Sequence, residues 1–339
     1  MKYVSVILVN YNGEPFIKRL LLSLTNQTYK DFEIIFVDNA STDHSVKIFQ
    51  EMLRHLQLED IHVKIILNKE NLGYCKGNNV GLKHAQGSYI VFLNNDTYLS
   101  TRWLEELVKV LDRYQSVGAC QSKILFADTG ELQALGNSFD VYGVSVKPFF
   151  DSRMGIDVLI DAFFCPSGTS MIVRREVLDK CGGFDEKLFY GDRDLGWRVR
   201  LFGYRMAMTL RSVCYHYGSY ATKTLFPSVA LSYFEYRDRI RILTKNYSFS
   251  RLVVRLPLSI FMMFIESAYS TLKFRTPCVS AWFKAILWNI LNLRDTIKKR
   301  IEMQKKRTVS DDEIEKYMNP YPSLVTDFKR KISYLLEKK

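Results

Sequence analysis

Apolar runs of six or seven residues alternate with amphipathic stretches along the first hundred residues of the chain. VSVILV (4–9) and FEIIFVD (32–38) have the length and composition of buried strands. Between them the apolar residues recur at helical spacing, and a proline stands where the first turn would begin: Pro15, Phe16, Leu20, Leu21 and Leu24. The pattern predicts a strand, a helix and a second strand in succession.

The same alternation continues as far as SYIVFL (88–93). An amphipathic stretch at 43–57 precedes the strand VKIIL (63–67), and a helix predicted at 77–86 precedes the last strand. This order indicates an α/β fold with a mostly parallel sheet flanked by helices. Ligands bind such sheets beyond the carboxyl ends of the strands, so the residues at those ends are the first candidates for function.

Polar residues follow three of the predicted strands: NYN (10–12), DNAS (38–41) and NND (94–96). One interpretation is structural, because Asn and Asp terminate strands and cap turns through their own side chains. Asp38 in particular would then cap the following turn or helix. The alternative is a shared ligand crevice in which Asp38 accepts the imide N–H of a pyrimidine base. No G-x-G-x-x-G follows the first strand and no G-x-x-x-x-G-K-[ST] occurs, which argues against a Rossmann dinucleotide site and a phosphate loop.

Composition restricts the class of protein. The 339 residues are 47% hydrophobic and 25% charged, which is typical of a globular chain with one sizeable domain and an appendage. The six cysteines form no C-x-x-C pair, and the N-terminus lacks the pattern of a secretory signal, so we expect reduced thiols in the cytosol. The longest uncharged stretch considered, 256–265, is half the length of a membrane span and contains Pro257, so no spanning segment is expected.

The positive charge is concentrated in the last third of the chain. Residues 1–225 hold 26 Lys+Arg and 25 Asp+Glu, a net of +1, whereas residues 226–339 hold 22 and 11, a net of +11. This asymmetry predicts two domains divided near residue 225, with a basic C-terminal region that faces a polyanionic surface, either nucleic acid or anionic lipid.

Seven segments in register carry a family resemblance over about the first 220 residues. They are VSVILVNYNGEPFIKRLLLSL, FEIIFVDNASTD, NLGYCKGNNVGL, VFLNNDTYL, SGTSMIVRREVLDKCGGFDEKLF, GDRDLGWRVRLFGY and VCYHYGS. Together they resemble the nucleotide-diphospho-sugar glycosyltransferases of family 2, and within them the rhamnosyltransferase-like branch. The resemblance implies a GT-A fold, a nucleotide-sugar donor, a divalent metal and inversion at the anomeric carbon.

The resemblance also implies a donor site. Asp38 matches the residue that reads the base, which fits uracil and thymine equally, so the donor would be a UDP- or dTDP-sugar. The loop after the first strand would wrap the same nucleoside with Val9, Asn10 and Tyr11. Residues in the next motif would approach the ribose and diphosphate: Asn71, Gly73, Lys76 and Asn79. Lys76 can equally be an exposed, solvated lysine.

A metal site is implied at the end of the strand that reaches residue 93. Asp96 matches an acidic residue that helps bind Mg2+ or Mn2+ bridging the donor diphosphate, whereas Asn94 and Asn95 replace a more acidic pattern. Amide oxygens can ligate such hard cations but contribute less charge, which predicts metal binding that depends on the donor phosphates. His216 matches a further metal ligand; the alternative is a structural histidine.

Asp192 is the expected catalytic base. Inverting transfer needs a group that takes the proton from the acceptor hydroxyl, and the family takes it from a Glu-Asp pair. This chain keeps the aspartate but has Gly191 in place of the glutamate. Asp185 and Glu186 are upstream carboxylates that could substitute or be structural, and the resemblance places Gly168 and Trp197 on the acceptor side.

The basic region contains amphipathic segments. RLVVRLPLSIFMMFIESAYSTLKFR (251–275) has an apolar centre between arginines, AWFKAILWNILNL (281–293) has large apolar residues at helical spacing, and RDTIKKRIEMQKKR follows with a basic cluster. This composition predicts interfacial helices on an anionic membrane surface through residues 251–307. The alternative is packing against the catalytic domain or against a second subunit of a homo-oligomer.

These inferences predict an inverting, metal-dependent glycosyltransferase, peripheral on the cytoplasmic face of the membrane, that extends a glycan or lipid-linked acceptor in surface polysaccharide or glycoconjugate synthesis. A catalytically silent nucleotide-sugar-binding protein is the main alternative, because of Asn94 and Gly191. A nucleic-acid-binding protein is disfavoured, because the basic region lacks a helix-turn-helix, zinc or RNP-type motif.

Overall fold

A computed structural model describes residues 3–55, 61–146, 157–218, 227–274 and 277–322. The chain forms two compact units. Unit one comprises the described residues within 1–136, 150–199 and 204–226, and unit two those within 137–149, 200–203 and 227–339. The principal division lies after residue 226; two short segments upstream of it, which the sequence analysis placed in the catalytic domain, cluster with unit two.

Unit one is built on one large sheet with helices, which confirms the predicted α/β class. Its strands are β1 (Val4–Asn10), β2 (Phe32–Asp38), β3 (His62–Leu67), β4 (Tyr89–Asn94), β5 (Thr97–Leu99), β6 (Val117–Phe126), β7 (Leu132–Ala134), β10 (Val158–Ile160), β11 (Ser170–Arg174) and β12 (Arg205–His216). Its helices are α1 (Glu14–Thr25), α2 (Ser45–His55), α3 (Gly73–Leu82), α4 (Trp103–Arg113), α5 (Arg175–Cys181) and α6 (Gly191–Leu201), the last of which continues into unit two.

The sheet has a parallel half and a mixed half. The strand order is β10-β12-β6-β11-β4-β1-β2-β3, with β5 paired to β12 and β7 to β6. The strands β4, β1, β2 and β3 are parallel, as the alternating pattern predicted. In the other half, β11 runs antiparallel to both β4 and β6, whereas β12 runs parallel to β6.

The register of the parallel half brings the polar strand ends to one level. Asn10 pairs with Asp38 across β1 and β2, and Val9 pairs with Asn94 across β1 and β4. The side chains before these ends are almost wholly buried in a core shared with α1, α2 and α4. The first polar residues after the core therefore meet at the carboxyl edge of the sheet, as expected for ligand binding in this class of fold.

Helix α3 begins four residues earlier than the sequence predicted and ends at Leu82 rather than at residue 86. Its glycines have low helix propensity, which hid the first turn. They allow the helix to pack closely on β1. A Cβ on Gly77 would lie 2.9 Å from a methyl carbon of Val9, and a Cβ on Gly81 would lie 2.5 Å from one of Ile7.

Unit two is mainly helical. It contains the short hairpin strands β8 (Ser138–Phe139) and β9 (Ser145–Val146), followed by α7 (Ser228–Asn246), α8 (Phe249–Phe274), α9 (Cys278–Leu291), α10 (Leu293–Lys306) and α11 (Asp311–Glu315). A small core joins α7, α8 and α9 through Tyr236, Ile240, Met263 and Ala285. The amphipathic pattern of the final segment, LVTDFKRKISYLLEKK, predicts a solvated or packing element, and this segment lies outside the described residues.

Helix α8 corrects the expectation that no segment is long enough to span a membrane. It runs uninterrupted through Pro257, and the stretch Phe249–Lys273 is long and apolar enough to cross a bilayer by length and composition. The uncharged stretch 256–265 ends at Glu266, but a membrane span can hold one or two charged residues. One such helix among the described residues is weak evidence for a span, because the core helix of a soluble protein can meet the same criteria.

The predicted basic cluster of α10 divides into inward and outward residues. The guanidinium of Arg300 donates to the carbonyls of Thr244 and Tyr247 at 2.5 and 2.6 Å, and burial lowers its pKa. Arg307 forms an ion pair with Asp311 at 2.8 Å. These two arginines therefore stabilise unit two, and the exposed basic residues of the cluster are Arg294, Lys298, Lys305 and Lys306.

Candidate functional site

A cavity of about 580 Å3 lies in unit one beyond the carboxyl ends of β1, β2 and β4. The predicted site residues that line it are Val9, Tyr11, Asn71, Gly73, Asn94, Asn95, Asp96, Gly168, Glu186 and Asp192. Further lining residues are Asn39, Leu72, Tyr74, Cys75, Ser167, Thr169, Leu188, Phe189 and Tyr190. The structure thus brings ten of the predicted site residues to one cavity.

Asn10 holds the strand ends together from behind the cavity wall. Its side chain is fully buried, and its amide nitrogen lies 2.8–3.0 Å from Asp38 Oδ1, Ser41 Oγ and Ser45 Oγ. Its Oδ1 accepts a hydrogen bond from Asn95 Nδ2 at 2.8 Å. A buried polar network in which the groups find partners is rigid, so Asn10 fixes the position of the rim residues.

Asp38 caps the loop after β2. Its Oδ2 accepts the backbone N–H of Ser41 at 2.9 Å, and its Oδ1 accepts the Ser41 hydroxyl at 2.6 Å. Asp38 is 3% exposed and does not line the cavity, whereas the next residue, Asn39, does. The capping interpretation is therefore visible in the structure, and the base-reading role of Asp38 stays a prediction. Ala40 follows with a φ of 58°, a strained conformation of the kind that concentrates at functional loops.

The predicted metal ligands lie side by side. Nε2 of His216 is 3.1 Å from Oδ1 of Asp96, and Nδ1 of His216 is 2.9 Å from Oε1 of Gln133. If Nδ1 donates to Gln133, the Nε2 lone pair faces the carboxylate. Two such acceptors need a proton or a cation between them. The pair therefore fits a divalent cation, with Gln133 orienting the imidazole as outer-shell groups commonly do.

The electrostatics of the cavity also fit a cation. Three carboxylates line it, from Asp96, Glu186 and Asp192, and no lysine, arginine or histidine lines it within the described ranges. The described part of the chain holds no cluster of three or more His, Cys, Asp or Glu suited to a metal. The protein would thus supply two ligands, Asp96 and His216, and the remaining positions would fall to phosphate oxygens and water.

Asp192 is anchored at the start of α6. Its Oδ2 accepts the backbone N–H of Gly168 and its Oδ1 accepts that of Arg193, both at 3.0 Å. The hydroxyl of Tyr74 donates to the carbonyl of Gly168 at 2.8 Å. Burial raises the pKa of Tyr74 well above its ordinary value, and the Asp192 charge raises it further, so the hydroxyl remains a donor. Asp192 and Tyr74 therefore hold the Gly168 segment by its N–H and its carbonyl.

Gly191 has a packing explanation. A Cβ at this position would lie 2.3 Å from Sγ of Cys75 and 3.1 Å from a ring carbon of Phe184. Cys75 is buried at 3% exposure, so it cannot readily move aside. The space that a glutamate side chain would need to leave the backbone here is filled by the Cys75 thiol.

The remaining predicted residues lie outside the cavity lining. The side-chain oxygen of Asn79 accepts the backbone N–H of Phe184 at 2.8 Å, and its side-chain nitrogen donates to the Phe184 carbonyl at 2.9 Å. The same nitrogen lies 3.2 Å from Oε1 of Glu186. Asp185 is buried, and its Oδ1 accepts the backbone N–H of Lys187 at 3.3 Å. Trp197 is buried against Phe164, and Lys76 is exposed. Asn79 thus positions the loop that carries Glu186.

Sequence reasoning missed the aromatic part of the wall. Tyr74 stands between residues of a recognised motif, and Leu188, Phe189 and Tyr190 lie between the predicted residues Glu186 and Asp192. The rings of Phe189 and Tyr190 are 4.9 Å apart. The only signal available was this position between two site residues, since aromatic side chains are otherwise common in cores.

Comparisons with known proteins agree with this architecture. Residues 5–182 match the family model described as "Glycosyl transferase family 2". An uncharacterized glycosyltransferase of Haemophilus influenzae is 29% identical over 175 residues, which cover 51% of this chain and 52% of that protein. The O-antigen biosynthesis protein RfbC of Myxococcus xanthus is 30% identical over 225 residues, 63% of this chain and 17% of that protein. The chain thus spans about half or less of the length of these relatives.

Solved structures share the fold at low identity. Staphylococcus aureus TarS 1–349 in complex with UDP-GlcNAc superposes with a TM-score of 0.58 at 18% identity, covering 89% of this chain and 90% of that one. GalNAc-T7 with UDP, GalNAc and Mn2+ superposes with a TM-score of 0.60 at 14% identity, covering 86% and 57%. These likenesses confirm the GT-A fold expected from the sequence, and the rhamnosyltransferase-like branch stays a prediction.

Proposed function

Because the chain belongs to glycosyl transferase family 2, we propose that it transfers a sugar, with inversion, from a UDP- or dTDP-sugar to a hydroxyl of a glycan or lipid-linked acceptor. The observation that carries the proposal is the cavity at the strand ends, which is lined by Tyr11, Asp96 and Asp192. The expected product is part of a surface polysaccharide or glycoconjugate. The relative RfbC is named for O-antigen biosynthesis, which supports this class of product.

The donor would bind along the parallel half of the sheet. Val9, Tyr11 and Asn39 line the part of the cavity next to β1 and β2 and would hold the nucleoside. Asn71 and Gly73 open α3, and the 73° φ of Gly73 lets the backbone approach the ribose and diphosphate without a side chain in the way. Solved relatives contain UDP or UDP-GlcNAc, which supports a uridine donor.

Asp96 and His216 would hold Mg2+ or Mn2+. The bound ion would offset the negative charge that develops on the leaving diphosphate. Their mutual distance of 3.1 Å and the absence of a cationic side chain from the described cavity lining both support this role. The structures of GalNAc-T7 with Mn2+ and of a Pyrobaculum calidifontis mannosyltransferase with Mn2+ show that proteins of this fold can hold such an ion.

Asp192 would accept the proton of the acceptor hydroxyl as that oxygen attacks the anomeric carbon from the face opposite the diphosphate. The two backbone N–H groups that donate to its carboxylate fix the orientation of this side chain, which supports the role. Gly168 and Glu186 lie in the same wall and would contact the acceptor. Asp185 and Trp197 would support this side indirectly, because both are buried.

We place the protein on the cytoplasmic face of the cell membrane, attached peripherally through residues 251–307. The net charge of +11 in residues 226–339 supports an anionic lipid surface as the partner. Association into a homo-oligomer is compatible with the same region, and nucleic acid is not an expected partner.

A thermal-shift screen of nucleoside diphosphates and nucleotide sugars, with and without Mn2+, tests the donor and metal assignments. Ligands that bind only the folded state raise its stability by mass action. UDP or dTDP compounds should stabilise the protein in the presence of metal, and purine nucleotides should not. Equal shifts from GDP or ADP would overturn the pyrimidine assignment, and stabilisation without any slow donor hydrolysis or transfer would favour a silent binder.

A further inference from the structure

Helix α8 carries an uncharged stripe on its outer surface. The large apolar residues exposed between 253 and 272 recur every three or four positions and are each 40% to 83% exposed: Val253, Val254, Leu258, Phe261, Phe264, Ile265, Tyr269 and Leu272. Every residue classed as exposed in this stretch is uncharged. At 1.5 Å per residue the stripe is about 30 Å long. Exposed apolar surface of this extent marks an interaction site.

Two charged residues in the middle of α8, Arg255 and Glu266, contact other parts of unit two. The guanidinium of Arg255 lies 3.2 Å from Glu315, and the carboxylate of Glu266 lies 3.4 Å from Arg239. Burial raises the pKa of Glu266. The hydroxyl of Ser259 donates to the carbonyl of Tyr142 at 2.8 Å. Only one face of the helix is therefore available to an apolar partner, and the other face depends on polar contacts within the unit.

The apolar surface continues onto α9. The ring of Phe264 contacts that of Trp282 at 5.2 Å, and Trp282 contacts Phe283 at 4.8 Å. Four large residues of α9 are more than half exposed: Phe283, Leu287, Ile290 and Leu291. Trp288, by contrast, packs on Arg237, whose guanidinium carbon lies 4.8 Å from the centre of the indole ring.

Charge identifies the occupant of this surface. Residues 249–306 hold 11 Lys+Arg against 3 Asp+Glu. The exposed basic side chains of α8, α9 and α10 are Lys273, Lys284, Arg294, Lys298, Lys305 and Lys306. A second copy of the chain would bring like charges together, whereas an anionic lipid surface would neutralise them, at about 1 kcal/mol for each basic residue near it.

We propose that α8 and α9 lie in the plane of an anionic leaflet, with the exposed stripe of α8 at the boundary between head groups and acyl chains, and that α8 does not cross the bilayer. The inference rests on the peripheral membrane attachment proposed above. A crossing helix would carry Glu266 into the hydrocarbon and either break its contact with Arg239 or bring that contact into lipid. Buried ionic contacts are costly in such an environment, and an in-plane helix avoids that cost.

Cysteine labelling distinguishes the two orientations. All six native cysteines are buried, so single cysteines introduced as Ser250→Cys before the stripe and Ser280→Cys after it can be labelled selectively. Each full-length variant is bound to sealed vesicles of phosphatidylglycerol and phosphatidylcholine and treated with a membrane-impermeant maleimide. Both positions should react from outside to the same extent. Protection of one position, relieved by detergent, would show a crossing helix and overturn the inference while leaving membrane attachment intact.

A matched pair of substitutions tests the surface itself. Phe261 on the stripe is 60% exposed and Leu67 on β3 is 59% exposed, so Phe261→Glu and Leu67→Glu place the same charge at equally accessible sites. We expect Phe261→Glu to reduce binding to the anionic vesicles at least tenfold and Leu67→Glu to leave it unchanged, with no binding of either protein to phosphatidylcholine alone. Equal effects of the two substitutions would overturn the inference.

The outcomes also separate this inference from the proposed transferase. If the wild-type chain ignores anionic vesicles but forms a dimer that Phe261→Glu dissociates, the stripe is an interface between copies and membrane attachment is wrong. The outcome of the vesicle experiments does not affect the nucleotide thermal-shift screen, because that screen probes only the cavity of unit one. Failure of that screen with intact vesicle binding would remove the transferase assignment and leave the lipid-binding surface standing.

Discussion

Asp192→Asn is the substitution that tests the catalytic assignment most directly. The carboxylate accepts one backbone N–H on each oxygen, from Gly168 and from Arg193. An asparagine can accept only one of them, and its NH2 group would face the other donor. We expect this unmade hydrogen bond to cost about 1–3 kcal/mol of stability. Removing a general base lowers transfer by about 100-fold or more, which corresponds to at least about 2.7 kcal/mol in the barrier.

The assay must separate these two effects. Unfolding is followed by urea titration, donor binding by the thermal shift with UDP and Mn2+, and transfer by steady-state kinetics across pH with the donor found in the screen. A folded Asp192→Asn protein should lose transfer activity while its thermal shift with UDP and Mn2+ stays near that of the wild type. Glu186→Gln removes another carboxylate from the same wall and serves as the control, with transfer reduced only several-fold. Transfer at the wild-type rate by Asp192→Asn would show that another group is the base.

Three further substitutions follow from the geometry of the cavity. Gly191→Ala should destabilise the protein by about 1–3 kcal/mol in urea titration because its Cβ would meet the Cys75 thiol, and adding Cys75→Ala should recover part of that loss; strictly additive effects would contradict this contact. Asp96→Ala should abolish the extra thermal stabilisation that Mn2+ gives to the UDP complex, and an unchanged shift would exclude Asp96 as a ligand. Tyr74→Phe removes the hydrogen bond to Gly168 and should lower kcat more than donor affinity, whereas a loss confined to donor affinity would contradict a role on the acceptor side.

The sequence predicted strands and the convergence of their polar ends correctly, because both depend on residue type and on position along the chain. Strand β2 was predicted with its observed bounds, and the polar ends of β1, β2 and β4 were predicted to converge because parallel strands end at the same edge. Asp38 shows the limit of this reasoning. Its type and position suit both a cap and a ligand contact, and only the structure reveals that two donors of Ser41 occupy its oxygens.

Long-range packing could not be inferred from one sequence. The antiparallel insertion of β11 between β4 and β6 depends on chain paths that local periodicity does not encode. In the basic region the sequence shows which residues are basic, but it does not show which of their side chains face solvent and which bind within unit two. Arg300 and Lys298 lie two residues apart, yet one is bound to backbone carbonyls and the other is exposed.

The carboxylate-rich wall of the cavity has a consequence for the order of ligand entry. Asp96, Glu186 and Asp192 present negative charge to a donor whose diphosphate is itself negative, so an uncomplexed donor is repelled. The productive ligand would be the preformed complex of donor and divalent cation, and apparent donor affinity should rise with free cation until that complex predominates. Uncomplexed nucleotides and other polyanions of the cell would compete poorly for the site. The rate of sugar transfer would then depend on the concentration of free divalent cation as it depends on the concentration of a substrate.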